Sequence, residues 1–298
     1  MTAPFEIVLP PGYRVDDVLR FHSRDTESVA EEVTPTLIRK GVMLDGVPVL
    51  LSAPLSDLPG TVVCQAHADG TLTPPLRQHI HDALLNILGL RIDPEPFLAA
   101  VRDDSLLGPL ARHRPGLRIV QSATVFEALT WAIIGQQINL SFAIALRRTF
   151  ILQAGRRHSS GLWCYPEAPD VVRLTLDDLT SRKFSRAKAE TLLRFANLVA
   201  TGELDLAAGP ANTIDDIGQR LLAIKGIGPW TVNYGLLRGY GYADCSLHGD
   251  VAIRAALQRL LGEETKPDIT RTERILQQYQ PHRTMAAAHL WASLAPEE

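Results

Sequence analysis

Residues 221–250, LLAIKGIGPWTVNYGLLRGYGYADCSLHGD, hold a glycine hairpin between two helical stretches. Upstream, Ile214, Ile217, Leu221 and Ile224 recur every three or four positions, the spacing of a helix with one buried face. Thr213 stands at the N-cap position, and Asp215 and Asp216 follow in the first turn, where carboxylates favour the positive end of the helix dipole. Lys225-Gly226-Ile227-Gly228 then reverses the chain, because Gly226 and Gly228 both permit positive φ. Pro229 opens the next helix, in whose first turn a missing N–H costs nothing. The result is a set of unpartnered backbone N–H groups at a helix N-terminus, a natural seat for a phosphate oxygen. An ordinary core hairpin also uses Gly-x-Gly, but it gives no account of the full Lys-Gly-Ile-Gly-Pro-Trp-Thr string. Some twenty residues further on stands a lone carboxylate, Asp250, ahead of an apolar helix over 251–261.

The rest of the chain sets bounds. At 298 residues, 46% hydrophobic and 21% charged, it is long enough for two or three cores and too apolar for disorder. No apolar run approaches the roughly eighteen residues of a membrane span and no signal-peptide pattern opens the chain, so a cytoplasmic protein is expected. Cys64, Cys164 and Cys245 are far apart and odd in number, which points to reduced, buried thiols. The net charge of −3 divides unevenly: residues 1–95 carry −6 and residues 96–298 carry +3. A protein that grips DNA with so small a surplus makes few phosphate contacts, and its affinity fades quickly with salt.

An α+β fold is predicted. Stretches 36–43 and 47–52 alternate as strands around the turn signal Leu44-Asp45-Gly46, and 60–66 is a further strand. Residues 75–88 carry Leu76, Ile80, Leu84 and Ile87 at helix spacing. An N-terminal antiparallel sheet with packed helices therefore ends near residue 95, at Asp93-Pro94-Glu95-Pro96. Beyond it, helices are predicted over 96–103, 124–136, 140–153, 175–180, 185–201, 213–239 with its hairpin, 251–261, 269–278 and 284–294.

The hairpin resembles the helix-hairpin-helix of base-excision DNA glycosylases, in which a Gly/Pro-rich loop and a catalytic Asp follow. The closest resemblance is to the alkylation-repair branch, 3-methyladenine DNA glycosylase II. It extends to Tyr13 and Phe21, to RPGLRIVQSATVFEALTWAIIGQQINLSFA (114–143), to FSRAKAETLLRFAN (184–197) and to HLWA (289–292). It implies a two-lobed all-helical core, with lobe one at about 121–241, lobe two at about 96–120 plus 242–298, and the active cleft between them. It implies a monomer that acts on duplex DNA, nucleoid-associated when bound.

Breaking an N-glycosidic bond builds positive charge on the sugar, so a carboxylate beside that carbon accelerates it. The resemblance gives this role to Asp250; from position alone Asp250 is a helix N-cap, and the two roles are compatible. Leu247-His248-Gly249 departs from the Pro-Asp that precedes the carboxylate in the best-known pattern. Relatives that also cut the backbone carry a Schiff-base lysine early in the second hairpin helix. Trp230 occupies that position, so a monofunctional hydrolase is expected. The three cysteines exclude the four-cysteine iron–sulfur loop of other relatives.

A cationic alkylpurine is already a good leaving group and gains from stacking on aromatic faces. Trp230 and Tyr234 lie four apart on one helix face; the resemblance adds Trp291 and Phe21, although each ring alone reads equally as core. It places Gln137, in Ile134-Gly135-Gln136-Gln137-Ile138, as the wedge that fills the hole left by a flipped base, while Gln136 reads as structural. Lys225, Gly226, Gly228 and Thr231 are the expected DNA contacts, and His248 reads as a solvated loop residue. The resemblance also implies a monovalent cation, Na or K, on the carbonyls of Leu222, Ile224 and Gly226. No Cys/His pairs lie at zinc spacing, and no cofactor is expected. Two alternatives stand: a non-catalytic helix-hairpin-helix DNA-binding protein, and a glycosylase for oxidised or mismatched bases.

Overall fold

The computed structural model describes residues 1–55 and 60–295. Its N-terminal part is an antiparallel sheet in the order β1-β5-β4-β3-β2. The strands are β1 (Thr2–Val8), β2 (Glu31–Thr34), β3 (Leu37–Leu44), β4 (Val47–Pro54) and β5 (Thr61–Ala68). The predicted turn joins β3 to β4: Leu44 faces Val47, while Asp45 and Gly46 take φ of 52° and 75°. Two successive positive φ values match the twist of a two-residue hairpin, and Asp-Gly is the pair that adopts them most readily. Helices α1 (Val15–His22) and α2 (Pro74–Ile87) complete this part, and Leu76, Ile80, Leu84 and Ile87 of α2 are buried as their spacing requires.

β1 was not expected, whereas β2 lies in the stretch of about 24–70 that reads as strands. In β1 burial alternates, with Ala3, Phe5 and Ile7 inside and Thr2, Pro4 and Glu6 outside. In β2 a Glu-Glu pair reads as solvent-facing, yet Glu31 is buried because distant cations meet it there. Lys40 Nζ lies 2.5 Å from Glu31 Oε1 and 2.7 Å from Glu127 Oε1, and Arg147 donates to both carboxylates at 2.8–3.1 Å. Burial would raise the Glu31 carboxyl pKa, but Arg147, Lys40 and His22 outweigh it and hold it well below the ordinary range. This network ties the sheet to the helical part, and removing one member strands a buried charge at a cost of about 3–5 kcal/mol.

The helical part runs through α3 (Glu95–Ala100), α4 (Gly108–His113), α5 (Val125–Gly135) and α6 (Leu140–Ala154), then a short β-hairpin, β6 (Arg156–Arg157) and β7 (Trp163–Cys164). It continues through α7 (Ala168–Val171), α8 (Leu176–Thr180), α9 (Arg186–Ala200), α10 (Ile214–Leu222) and α11 (Pro229–Tyr240). It closes with α12 (Val251–Leu261), α13 (Ile269–Gln277) and α14 (Arg283–Ala292). The helices α4 and α7 and the hairpin β6–β7 were not anticipated; they are too short to show a period. Main-chain bonds from Met43 to Tyr165 (2.9 Å) and from Tyr165 to Gly41 (3.0 Å) stitch β3 to the segment after β7. Among the described residues no helix is long and apolar enough to cross a membrane.

Candidate active site

The hairpin forms between α10 and α11. Thr213 caps α10 in a capping box, accepting from the Asp216 N–H while the Asp216 carboxylate accepts from the Thr213 N–H. Only one of the two glycines turns the chain. Gly226 has φ +97°, and a Cβ there would stand 2.1 Å from Thr191 Oγ1 of α9. Gly228 is extended (φ −105°, ψ 175°), serves as the N-cap of α11, and would accommodate a Cβ without contact. Its bareness leaves open the approach to the helix N-terminus, which no side chain caps. The first intrahelical bond is from the Val232 N–H to the Gly228 carbonyl, so the N–H groups of the first turn face outward. Lys225 is exposed beside them. Thr231 does not offer its hydroxyl: the side chain is buried and accepts from Gln136 Nε2 at 2.8 Å, so any DNA contact at this position is made by its main chain.

The segment after α11 returns Asp250 to the same face. Asp250 caps α12, with Oδ1 accepting from Ala252 N (2.9 Å) and Ile253 N (3.0 Å). Oδ2 accepts from Trp230 Nε1 at 2.8 Å, and Trp291 Nε1 lies 3.3 Å from Oδ1. Four N–H donors thus fix the carboxylate, and the capping and site positions coincide. Gly249 lies on the cleft wall with open space where a Cβ would be and no positive φ, so its departure from the common pattern imposes no strain on Asp250. His248 turns aside to Ser246 Oγ at 2.9 Å.

Asp250 opens into a cleft of about 1000 Å³, lined by α5, α11, the 135–140 loop, the start of α12 and Trp291 of α14. Trp230 and Tyr234 stack with centroids 5.0 Å apart, and Trp291 is tilted 6.2 Å from Tyr234. The stack covers one face of Tyr234 with Trp230 instead of spreading both rings along one wall. Phe21 does not line this cleft. It sits behind it, with the guanidinium carbons of Arg24 and Arg238 lying 4.2 and 4.8 Å from its ring centre. Tyr13 belongs to the N-terminal core, where its hydroxyl donates to the Leu88 carbonyl at 2.7 Å.

Arg24, Arg238 and Trp131 are cleft residues that the sequence did not single out. Trp131 Nε1 donates to the Tyr234 hydroxyl at 3.1 Å. Burial opposes ionisation of that phenol, but Arg238 and then Arg24 outweigh it and hold its pKa below the ordinary tyrosine value. Arg238 follows Trp230 and Tyr234 at intervals of four on one helix, so periodicity alone could have found it. Arg24 comes from beyond the end of α1 and has no local signal.

Gln137 stands exposed at the cleft mouth with φ +55°, a left-handed conformation uncommon for a non-glycine residue and typical of functional loops. Two neighbours hold it there. Gln136 Nε2 donates to the Gly226 carbonyl at 2.9 Å as well as to Thr231, joining the loop to the hairpin. The Lys188 ammonium donates to the carbonyls of Ile134 (2.6 Å) and Gln136 (3.2 Å), satisfying the C-terminus of α5. Burial lowers its pKa.

The carbonyls of Leu222, Ile224 and Gly226 lie at the end of α10 and in this hairpin. That of Gly226 accepts from Gln136 and that of Ile224 from the Ile227 N–H at 3.0 Å, each retaining a second lone pair; Leu222 lies exposed beside them. Among the described residues one group has metal-compatible spacing, His67, Asp69 and His158, away from the cleft. There the Ser160 N–H donates to His158 Nδ1 at 3.0 Å, so the ring proton of neutral His158 is on Nε2, facing His67. That tautomer makes a hydrogen-bonded clasp rather than a ligand set. All three cysteines are free and buried.

Residues 130–282 match the HhH-GPD superfamily of base excision DNA repair proteins. Over 291 residues the sequence is 27% identical to a DNA-3-methyladenine glycosylase of Bacillus subtilis, covering 97% of this chain and 96% of that one. The 3-methyladenine DNA-glycosylase from Archaeoglobus fulgidus shares the fold with a TM-score of 0.80, covering 97% of each chain at 20% identity. So does the 8-oxoguanine glycosylase/lyase of Clostridium acetobutylicum in complex with dsDNA, with a TM-score of 0.71, 94% of this chain and 91% of that one covered, and 13% identity. The fold is therefore common to proteins with different lesions and chemistries, and the side chains of the cleft must distinguish them. With its hairpin and Asp250 within the matched region, the chain belongs to the HhH-GPD superfamily of base excision DNA repair proteins.

Proposed function

We propose that this protein is a monofunctional DNA glycosylase that hydrolyses the N-glycosidic bond of alkylated bases in duplex DNA, 3-methyladenine and other cationic alkylpurines among them. The observation that carries this is Asp250, held by Trp230 and Trp291 on the wall of an aromatic cleft that opens beside the hairpin's free N–H groups. The hairpin grips a phosphate next to the lesion, and the carbonyls of Leu222, Ile224 and Gly226 would hold a monovalent cation, which would supply positive charge near that phosphate. Gln137 fills the stack as the base turns out, and the base lies against Trp230, Tyr234 and Trp291. The bond electrons leave with the base, Asp250 stabilises the cationic sugar and orients the water that attacks it, and an abasic site remains. No lysine lines the described cleft: Lys188 is engaged with carbonyls and Lys225 precedes the turn. This supports hydrolysis without a Schiff base.

Methylated duplex DNA is incubated with the protein, released bases are separated chromatographically, and a parallel sample is treated with borohydride. The expected result is free 3-methyladenine with no trapped protein–DNA adduct. Absence of released base would remove the glycosylase assignment, and a trapped adduct would remove the monofunctional one.

A further inference from the structure

One proton separates the clasp of His67, Asp69 and His158 from a ligand set. His67 lies near the end of β5 and Asp69 just after it, while His158 belongs to the β6–β7 hairpin, 91 positions from His67, so spacing in the sequence hides the group. His67 Nδ1 and His158 Nε2 are 2.9 Å apart, and Asp69 Oδ1 stands 3.6 and 3.5 Å from them. Zinc bonds of about 2.0–2.1 Å at tetrahedral angles hold ligand atoms about 3.3–3.4 Å apart, so one ion reaches all three after shifts of about half an ångström or less. At its present distances the carboxylate hydrogen-bonds neither ring. Its partners are the N–H and hydroxyl of Ser159, both at 2.6 Å, which aim it at the two imidazoles as outer-shell donors aim the ligands of metal sites. The His158 side chain is 1% exposed and that of His67 41%, which leaves an entry path on the His67 side. Arg39, whose charge reaches His158, is already paired with Glu32.

We propose that His67, Asp69 and His158 bind a zinc ion that fastens the N-terminal sheet to the β6–β7 hairpin. This does not rest on the glycosylase activity proposed above. His67 needs no change, because its Nδ1 accepts in the clasp and is already bare. On His158 the proton leaves Nε2 for solvent and another joins Nδ1, so the ring stays neutral and no net proton is released. Ser160 Oγ, 2.9 Å from Nδ1, accepts the relocated N–H, and the exposed Ser160 N–H turns to water. The His67 carbonyl, 3.1 Å from His158 Nε2, then faces the positive charge of the ion in place of that of the proton. Two imidazoles and a carboxylate, with water in the fourth position, are a zinc donor set, whereas magnesium and calcium take oxygen ligands. The triad does not line the cleft, so the ion takes no part in the reaction there.

In the test, zinc or magnesium is titrated by calorimetry into the tag-free protein near neutral pH, for the native chain, His67→Ala and Asp69→Asn. The native chain is expected to take up one equivalent of zinc and no magnesium. Loss of outer-shell support alone costs a metal site about 10- to 100-fold in affinity, so losing a ligand should weaken zinc binding by at least about 10-fold in each variant. Both replaced side chains reach solvent, and circular dichroism of the variants checks that they fold. Absence of saturable zinc binding by the native chain, equal uptake of magnesium, or zinc binding by either folded variant within about 10-fold of the native chain overturns the site.

Discussion

The indole N–H of Trp230 donates to Asp250 Oδ2 at 2.8 Å, so this ring fixes the orientation of the carboxylate. A hydrogen bond to a charged group contributes about 1.5–3 kcal/mol. Trp230→Phe keeps the ring and removes the donor. Its single-turnover excision rate should fall by about 10- to 100-fold, more than lesion-duplex affinity falls. Equal rates in variant and native protein would mean that the bond plays no part in positioning Asp250.

The turn at Gly226 is set by two constraints, a φ of +97° and contact with Thr191. Gly226→Ala should destabilise the fold by about 1–3 kcal/mol, seen as a lower denaturation midpoint, and weaken duplex binding. Adding Thr191→Ala removes the clashing hydroxyl but not the backbone strain, so the double variant should recover only part of the loss. Gly228→Ala, at an extended and open position, should leave the midpoint nearly unchanged yet reduce DNA affinity by crowding the helix N-terminus.

Gln137 is held at the cleft mouth by Gln136 and Lys188 through its neighbours' main chain. If it fills the vacated stack, Gln137→Ala should slow base flipping several-fold, measured by the fluorescence of 2-aminopurine beside the lesion. Gln137→Leu should restore much of it by apolar filling. Identical flipping in all three proteins would return Gln137 to the status of a loop residue.

His289 stacks on Phe97, and its pKa is lowered to about 4, first by burial and then by Arg114, against the bond to the Leu110 carbonyl. Folded His289 therefore stays neutral where the unfolded chain protonates. Its share of stability is complete above the unfolded value of about 6.5 and is lost as pH falls from there towards 4. His289→Gln, which keeps an amide donor for Leu110, should show a shallower loss of stability between pH 6.5 and 4, by up to about 3 kcal/mol, in denaturant titrations at a series of pH values. Parallel pH profiles would mean that His289 does not couple to folding.

What the sequence showed and what it hid divide along physical lines. The hairpin, its capping box and the Asp-Gly turn were legible because each is a local solution to a local constraint. Trp230, Tyr234 and Trp291 were brought together as expected, and Asp250 turned out to cap and to face the cleft at once. Which glycine turned the chain was not legible, since spacing does not distinguish the strained position from the open one. The burial of Glu31 was missed because it depends on Lys40, Glu127 and Arg147, joined only by folding. Arg24 and the retreat of Phe21 behind it were hidden for the same reason: the inner end of the cleft is assembled from residues more than two hundred positions apart.

Asp250→Asn removes the carboxylate's charge while its amide oxygen still caps α12, and it turns an amide N–H2 toward the Trp230 indole N–H in place of Oδ2. Single-turnover release of 3-methyladenine from a duplex should fall by about 100-fold or more in this variant, while its unfolding free energy falls by no more than about 3 kcal/mol through the lost Trp230 bond. A variant that folds and releases base at the native rate would contradict the assignment of Asp250 as the catalytic group.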